Sequence, residues 1–529
     1  MGNGGFRTWA VTLGWLGAAA AGAQPYDKWV DAFFNSKDAF IQGTVIPNIE
    51  KNRKSDATLT FTDEAGKPLA GLKVSVKQIE HAFLFGAVPP FQSSQFAAPN
   101  HVKLWRNVFN YGICESAFKW AANEKVQGTR DFSRADAILS SFTASGARME
   151  LHFLAGYHPD WLAALPDAAK ATAQKEYAQA ALEHFKDKIT YFQVFNEDML
   201  THVDRAKVFS DQTKFFGDLS KLYPNVRLGI NDCYVWNPAS AAERFPTPTD
   251  LKAKYPGIKF IAMHGHRPHS YWATPQEMYK LFDPYIGSGV NVQLAEFGIM
   301  DEPIEGAHTG TWTDDLRAQY FISAYATVFS HPATDAFNAW GIGPDTNRWN
   351  ANYMIGLDGT PKPSYSSLKS LIRDKLMTKA EGTSDAAGAY AYRGFRGSYE
   401  ITVERAGVKG MAQISLDEKG GTQSLKITES AGKLVISGGT VGALAPFSEP
   451  EWRIEAAPGM TAVFTGLKAF ASLEILDPRG RSVRAWKVLG DRLQWDGSDA
   501  AGRPVPKGNY LVRAGMVGGG SRSRVLRMR

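Results

Sequence analysis

Two glutamates stand at the ends of short apolar runs, where a carboxylate adds nothing to burial. Glu197 follows Ile-Thr-Tyr-Phe-Gln-Val-Phe-Asn at 189–196, and Glu296 follows Val-Gln-Leu-Ala at 292–295. Runs of this length and β-favouring composition suit strands buried on both faces, as in a parallel sheet. At the C-terminal end of a barrel strand, a carboxylate lies on the floor of a pocket. One carboxyl kept protonated and one kept ionised can cleave a glycosidic bond: the first protonates the leaving oxygen, the second attacks the anomeric carbon. The retaining form of that reaction sets the two groups about 5–5.5 Å apart.

Such a pair needs a barrel to position it, and the patterning predicts one. From His81 to Ile372 apolar strands alternate with amphipathic helical stretches. The predicted strands are Phe83–Val88, Asn110–Ile113, Arg148–Phe153, Tyr191–Phe195, Arg227–Ile230, Phe260–Met263, Val292–Ala295 and Ala336–Trp340. Helical patterns lie between most of them, as at Ala168–Phe185, Asp204–Leu222 and Thr313–Phe329. Eight β/α repeats give the α/β class, a (β/α)8 barrel over 81–376 with accessory all-β modules. Glu197 and Glu296 then end strands four and seven.

The flanks read differently. Residues 24–80 form a short helix and a period-two stretch over 57–79, read as a hairpin that must pack on another sheet. Residues 377–435 are Gly-rich short strands, a small β module expected to pair with that hairpin across the barrel termini. A Gly/Pro linker leads to a second β module over 436–529, read as an Ig-like sandwich with a basic last strand.

Composition sets the remaining bounds. The length of 529 residues exceeds one domain. The net charge of +6 comes without a basic block or basic aromatic platform, so nothing argues for nucleic acid. Two cysteines, Cys114 and Cys233, exclude a disulfide framework and read as free thiols. The N-terminus carries Arg7, an apolar run from Trp9 to Ala20 and an Ala21-Gly-Ala23 cleavage pattern, so residues 1–23 read as an export signal. The expected location is secreted, on the cell surface or in the periplasm of a bacterium. Fourteen Trp suit a carbohydrate binder or simply a large core.

The residues around the glutamates carry a resemblance. Val194-Phe-Asn-Glu197 is similar to the acid/base motif of the glycoside hydrolase family 10 xylanases, and Gln293-Leu-Ala-Glu296 to their nucleophile motif. The resemblance covers His81 to Ile372. It implies that Glu197 is the acid/base, Glu296 the nucleophile, and Asn196 a partner of the sugar 2-hydroxyl. Glu115-Ser-Ala-Phe-Lys-Trp120 resembles the strand-two motif, which implies substrate contacts for Glu115, Lys119 and Trp120. His152 matches the strand-three histidine, with Tyr157 and His158 in place of the usual Trp-His. Ile230-Asn-Asp232 resembles the strand-five end and places Asp232 at the site. Met263-His-Gly-His266 resembles the strand-six end, with His264 in place of glutamine and His266 expected to hold the nucleophile. Trp340 and Trp349 resemble the aromatic wall after strand eight. Ser116 stands where the family has asparagine, and Gly298 where it has an aspartate to orient His266.

The resemblance implies a retaining endo-β-1,4-glycanase acting on xylan or a related plant polysaccharide as a monomer, with no metal or organic cofactor. The alternatives are a non-catalytic polysaccharide-binding barrel and, from the His264, His266 and His269 cluster, a metal hydrolase. The 380–430 segment also resembles transthyretin-like or carboxypeptidase-regulatory domains. The last segment, with Trp495-Asp-Gly497, resembles an Ig-like repeat of secreted bacterial proteins.

Overall fold

The structure is a computed structural model. It describes residues 27–89, 99–197, 211–234, 246–265, 271–299, 303–343, 354–356, 358–430, 433–439, 453–457, 461–465, 467, 470–488, 492–516 and 521–528. The expected export signal and most of the 438–450 linker lie outside these residues. Among those described, no helix is long and apolar enough to cross a membrane.

The central body is a closed parallel barrel. Its strands are β3 (Leu84–Ala87), β4 (Tyr111–Cys114), β5 (Arg148–His152), β6 (Tyr191–Asn196), β7 (Arg227–Tyr234), β8 (Phe260–Gly265), β10 (Asn291–Phe297) and β12 (Thr334–Ala339). β12 pairs with β3 and closes the ring. The two-residue strands β9 (Tyr271–Trp272) and β11 (Glu305–Gly306) pair with each other outside it. All eight barrel strands fall on predicted ones, with ends shifted by a few residues.

Alternation explains why these runs close. Tyr111, Tyr191 and Phe260 pack in one cluster with the small Ala262, Ala295 and Ala336. Large and small side chains from different strands fill a barrel interior in layers. Gly86 belongs to this fit, because a Cβ there would lie 2.4 Å from Tyr111 Cδ1 and 2.9 Å from Asn338 Oδ1. The N-terminal ends of the strands meet on Asp335. Its Oδ2 accepts from Tyr191 Oη at 2.8 Å, Arg227 at 3.0 Å and Asn291 at 2.6 Å. Cys114 is a buried free thiol on β4, and Cys233 sits on β7.

The period-two stretch before the barrel is not a hairpin. β1 (Lys54–Thr62) and β2 (Lys73–His81) enter two different sheets. After the barrel come β13 (Lys379–Thr383), β14 (Ala389–Phe395), β15 (Gly397–Arg405), β16 (Val408–Leu416), β17 (Gly421–Ser430) and β18 (Lys433–Gly438). One sheet runs β14-β1-β17-β18 and the other β13-β2-β15-β16. Both early strands bury one face, Ala57, Leu59 and Phe61 on β1, Val74 and Val76 on β2, in a shared core. Two single-sided apolar strands joined by a long connection bury more surface face to face than side by side. The barrel is thus inserted in the sequence of a β-sandwich.

Polar ties fasten the two bodies. Arg53, at the end of the helix Ile46–Arg53, donates to the carbonyls of Phe329, of His331 at 2.6 Å and of Thr334 at 2.8 Å. Glu80 accepts Arg373 on both oxygens at 3.1 Å and Asn110 at 2.9 Å.

The last module has β19 (Arg453–Ala457), β20 (Thr461–Thr465), β21 (Phe470–Leu476), β22 (Ser482–Lys487), β23 (Arg492–Trp495), β24 (Gly508–Met516) and β25 (Ser521–Met528). They form sheets β19-β20-β23 and β22-β21-β24-β25 around a core containing Trp495 and Tyr510.

Candidate active site

The C-terminal ends of three barrel strands are irregular. Register shifts fall between Gln193 and Asn196 on β6, Asp232 and Tyr234 on β7, and Leu294 and Glu296 on β10 against β8. Such bulges re-aim side chains where pairing ends. Glu197 adds a left-handed backbone, φ 54°, while its N–H still donates to the Asn231 carbonyl at 2.8 Å. A glutamate costs roughly 1–2 kcal/mol in that region, and such strain concentrates at functional sites.

These bends bring the two glutamates onto one ring. His264 Nδ1 lies 3.7 Å from Glu197 Oε1, and His264 Nε2 lies 3.4 Å from Glu296 Oε1. The His264 and Glu296 side chains are buried, while that of Glu197 is 30% exposed. A closed nucleophile and a more open acid suit their expected roles, since the acid must reach a leaving group that departs toward solvent.

Asn231 ties Glu296 to Asn196. Its Nδ2 donates to Glu296 Oε1 at 2.5 Å and to Asn196 Oδ1 at 2.9 Å. A hydrogen bond donated to a carboxylate favours its ionised form. The second bond uses one lone pair of Asn196 Oδ1, and its Nδ2 can offer a donor to a sugar hydroxyl.

The strand-three side is built on a buried relay. His152 Nδ1 bonds Gln193 Oε1, Gln193 Nε2 donates to Glu150 Oε1, and Tyr111 Oη donates to Glu150 Oε2. Since Gln193 Oε1 only accepts, this arrangement makes Nδ1 the protonated nitrogen of His152. Burial holds His152 below the usual histidine range, against the pull of Glu296 and Glu115. Burial likewise pushes Glu150 up to about 8, partly offset by its bonds to Tyr111 and Gln193. His152 meets the half-buried Trp340 edge to face, with ring centroids 5.7 Å apart.

Glu115 and Lys119 form an ion pair, and Lys119 Nζ sits 3.2 Å from the centroid of the Tyr157 ring. Tyr157, also left-handed at φ 48°, is 56% exposed. The pair therefore stands beside an open aromatic face.

Two expected site residues are wholly buried. Trp120 is wholly buried, stacked on Tyr177 at 5.1 Å, with Nε1 donating to Glu124 at 2.9 Å. It opens the helix Trp120–Asn123, which turns the indole away from the pocket into the helix layer. Asp232 is also wholly buried. Its neighbour Asn231 is the β7 residue whose side chain donates to Glu296. His266 and Trp349 lie outside the described residues.

Sequence reasoning missed Asn231, Gln193 and Glu150 as parts of the site. The available signal was a polar residue inside an otherwise apolar strand. Such a group is buried only if it is bonded.

The Glycosyl hydrolase family 10 model matches residues 76–370, more than half of the chain. Anti-sigma-I factor RsgI6 of Acetivibrio thermocellus is 23% identical over 394 residues, covering 72% of this chain and 49% of that protein. Endo-1,4-beta-xylanase 1 of Arabidopsis thaliana is 21% identical over 390 residues, covering 72% and 39%. The chain thus spans about half or less of the length of these relatives. Among solved structures, native xylanase 10B from Thermotoga maritima aligns with a TM-score of 0.46 at 17% identity, over 56% of this chain and 96% of that one. With strands four and seven of a closed barrel each ending on a glutamate and the family model matching across it, the chain belongs to glycosyl hydrolase family 10.

Proposed function

We propose that the protein is a retaining endo-β-1,4-glycanase whose substrate is xylan. The observation that carries this reading is the convergence of Glu197 and Glu296 on opposite nitrogens of His264. In the first step Glu197 gives its proton to the glycosidic oxygen, and a Glu296 oxygen attacks the anomeric carbon. The C–O bond to the leaving sugar breaks, and an ester to Glu296 forms. In the second step Glu197, now ionised, takes a proton from water, whose oxygen displaces Glu296 from the same carbon. Two inversions return the original anomeric configuration. Asn196 Nδ2 supplies a donor beside the 2-hydroxyl, a contact that strengthens as charge develops on the ring. Glu115, Lys119 and Tyr157 give polar groups and an aromatic face for a neighbouring sugar. Similarity to a plant xylanase and the family membership support xylan over other β-1,4-glycans.

Release of reducing ends from xylan, followed by product sizing, tests the reading. Xylo-oligosaccharides of several lengths are expected from the parent protein and none from Glu296→Ala. Unchanged release by Glu296→Ala would refute the assignment. One relative is named as an anti-sigma factor and not as a hydrolase, and a second reading is a barrel that binds polysaccharide without turnover. That reading predicts binding but no products across a panel of glycans. We also propose that residues 1–23 direct export, which N-terminal sequencing of protein recovered outside the cytoplasm would check.

A further inference from the structure

His264 spans the two glutamates with both ring nitrogens and has no exposed surface. A neutral imidazole has one donor and one acceptor nitrogen. The retaining reaction starts with one carboxyl protonated and one ionised. Ring and carboxyls fit in one sense. Nε2–H points at the Glu296 carboxylate, and the Nδ1 lone pair faces the Glu197 O–H. Moving that single proton from Glu197 Oε1 to Nδ1 leaves an imidazolium between two carboxylates. The O–H bond breaks, the N–H bond forms, and nothing enters or leaves the site. The contacts of 3.4 and 3.7 Å are longer than formed hydrogen bonds. Contacts of this kind tighten when substrate closes a site.

We propose that His264 shares the catalytic proton with Glu197, so that acid catalysis draws on a Glu197–His264 pair and not on Glu197 alone. The inference rests on the assignment of the two glutamates made above. A glutamine at this position could copy both hydrogen bonds, its amide N–H toward Glu296 and its carbonyl toward Glu197. It could not hold the proton. The groups around the ring favour sharing. Glu197 from β6 and Glu296 from β10 bring negative charge to its two nitrogens. β7 brings the uncharged Asn231 amide. β5 brings His152, held below the usual histidine range by burial and within electrostatic reach of Glu296, Glu115 and Lys119.

The experiment compares His264→Gln with the parent in the pH dependence of kcat/KM on xylo-oligosaccharides. Losing the shared store should move the alkaline limb of the normalised profile toward acid by at least about one pH unit, an approximately tenfold lower normalised kcat/KM on that limb, with KM within about twofold. Superimposable normalised profiles would overturn the inference while leaving the glutamate assignment intact. Histidine-ring NMR of the parent and of Glu197→Gln gives a readout that needs no turnover. The ring signal absent from His264→Gln should titrate lower in Glu197→Gln than in the parent. An unchanged titration would overturn the proposal. If the parent makes no products from any glycan, or Glu296→Ala makes them as fast, the functional reading fails, and the ring titration still decides whether His264 and Glu197 share a proton.

Discussion

Replacing Asn231 by aspartate should turn a supporting hydrogen bond into a titrating switch. Asn231 Nδ2 lies 2.5 Å from Glu296 Oε1. Asparagine and aspartate have the same shape, so the variant puts a second carboxyl against the nucleophile. Even if the pair relaxes to about 4 Å, two anions repel by about 4 kcal/mol at an effective dielectric of about 20. That is about three pK units, so the pair should keep one proton up to about pH 7. With the proton on Asp, the new carboxyl still donates to Glu296 and part of the activity survives. Above that pH both are ionised, the donor is gone and the nucleophile is pushed aside. Asn231→Ala removes the donor at every pH. Losing a hydrogen bond to a charged group costs about 1.5–3 kcal/mol, roughly 10- to 150-fold in rate if it is felt in the transition state. The assay is kcat/KM against pH for both variants, with thermal unfolding to confirm that each is folded. Asn231→Asp should exceed Asn231→Ala at pH 5 and fall above pH 7. Identical profile shapes for the two, or Asn231→Ala within twofold of the parent, would refute this reasoning.

Three further outcomes follow from other parts of the structure. Trp120→Ala should cost about 3–5 kcal/mol of stability by urea unfolding, and KM of the folded enzyme should not change, because the indole packs on Tyr177 and not on substrate. Glu150, raised to about 8 when folded, stabilises the protein most fully below its unfolded value, and that contribution is lost as pH rises toward 8. Unfolding free energies should therefore fall from pH 5 to pH 8 in the parent and fall less in Glu150→Gln. Arg53→Met should destabilise by about 3 kcal/mol, since it leaves the carbonyls of Phe329, His331 and Thr334 without their shared donor. Equal melting temperatures for this variant and the parent would show that solvent replaces the guanidinium.

The sequence made the barrel and its two glutamates legible for a physical reason. A strand buried on both faces tolerates few polar residues, so a glutamate that ends one stands out, and two such ends mark one pocket. What periodicity could not supply was orientation beyond the strand ends. Trp120 and Trp340 have the same chemistry and both follow a barrel strand, yet one turns into the helix layer and the other half faces the pocket. Asp232 drew attention over Asn231 because a carboxylate signals chemistry more loudly than an amide. In the structure it is the Asn231 side chain that donates to Glu296. His264 reads in sequence as a replaced glutamine, and its contact with both glutamates depends on the register shift between Leu294 and Glu296. β1 and β2 alternate as a hairpin would. That they face each other across a core is set by strands more than 300 residues away, which no local window contains.

The most direct test of the central claim is to trap the covalent intermediate. A xylobioside with an activated leaving group and a 2-fluoro substituent forms the ester quickly and hydrolyses it slowly. One added disaccharide is expected by intact mass, located by peptide mapping on Glu296. Turnover with no adduct, or an adduct on any other residue, would contradict it.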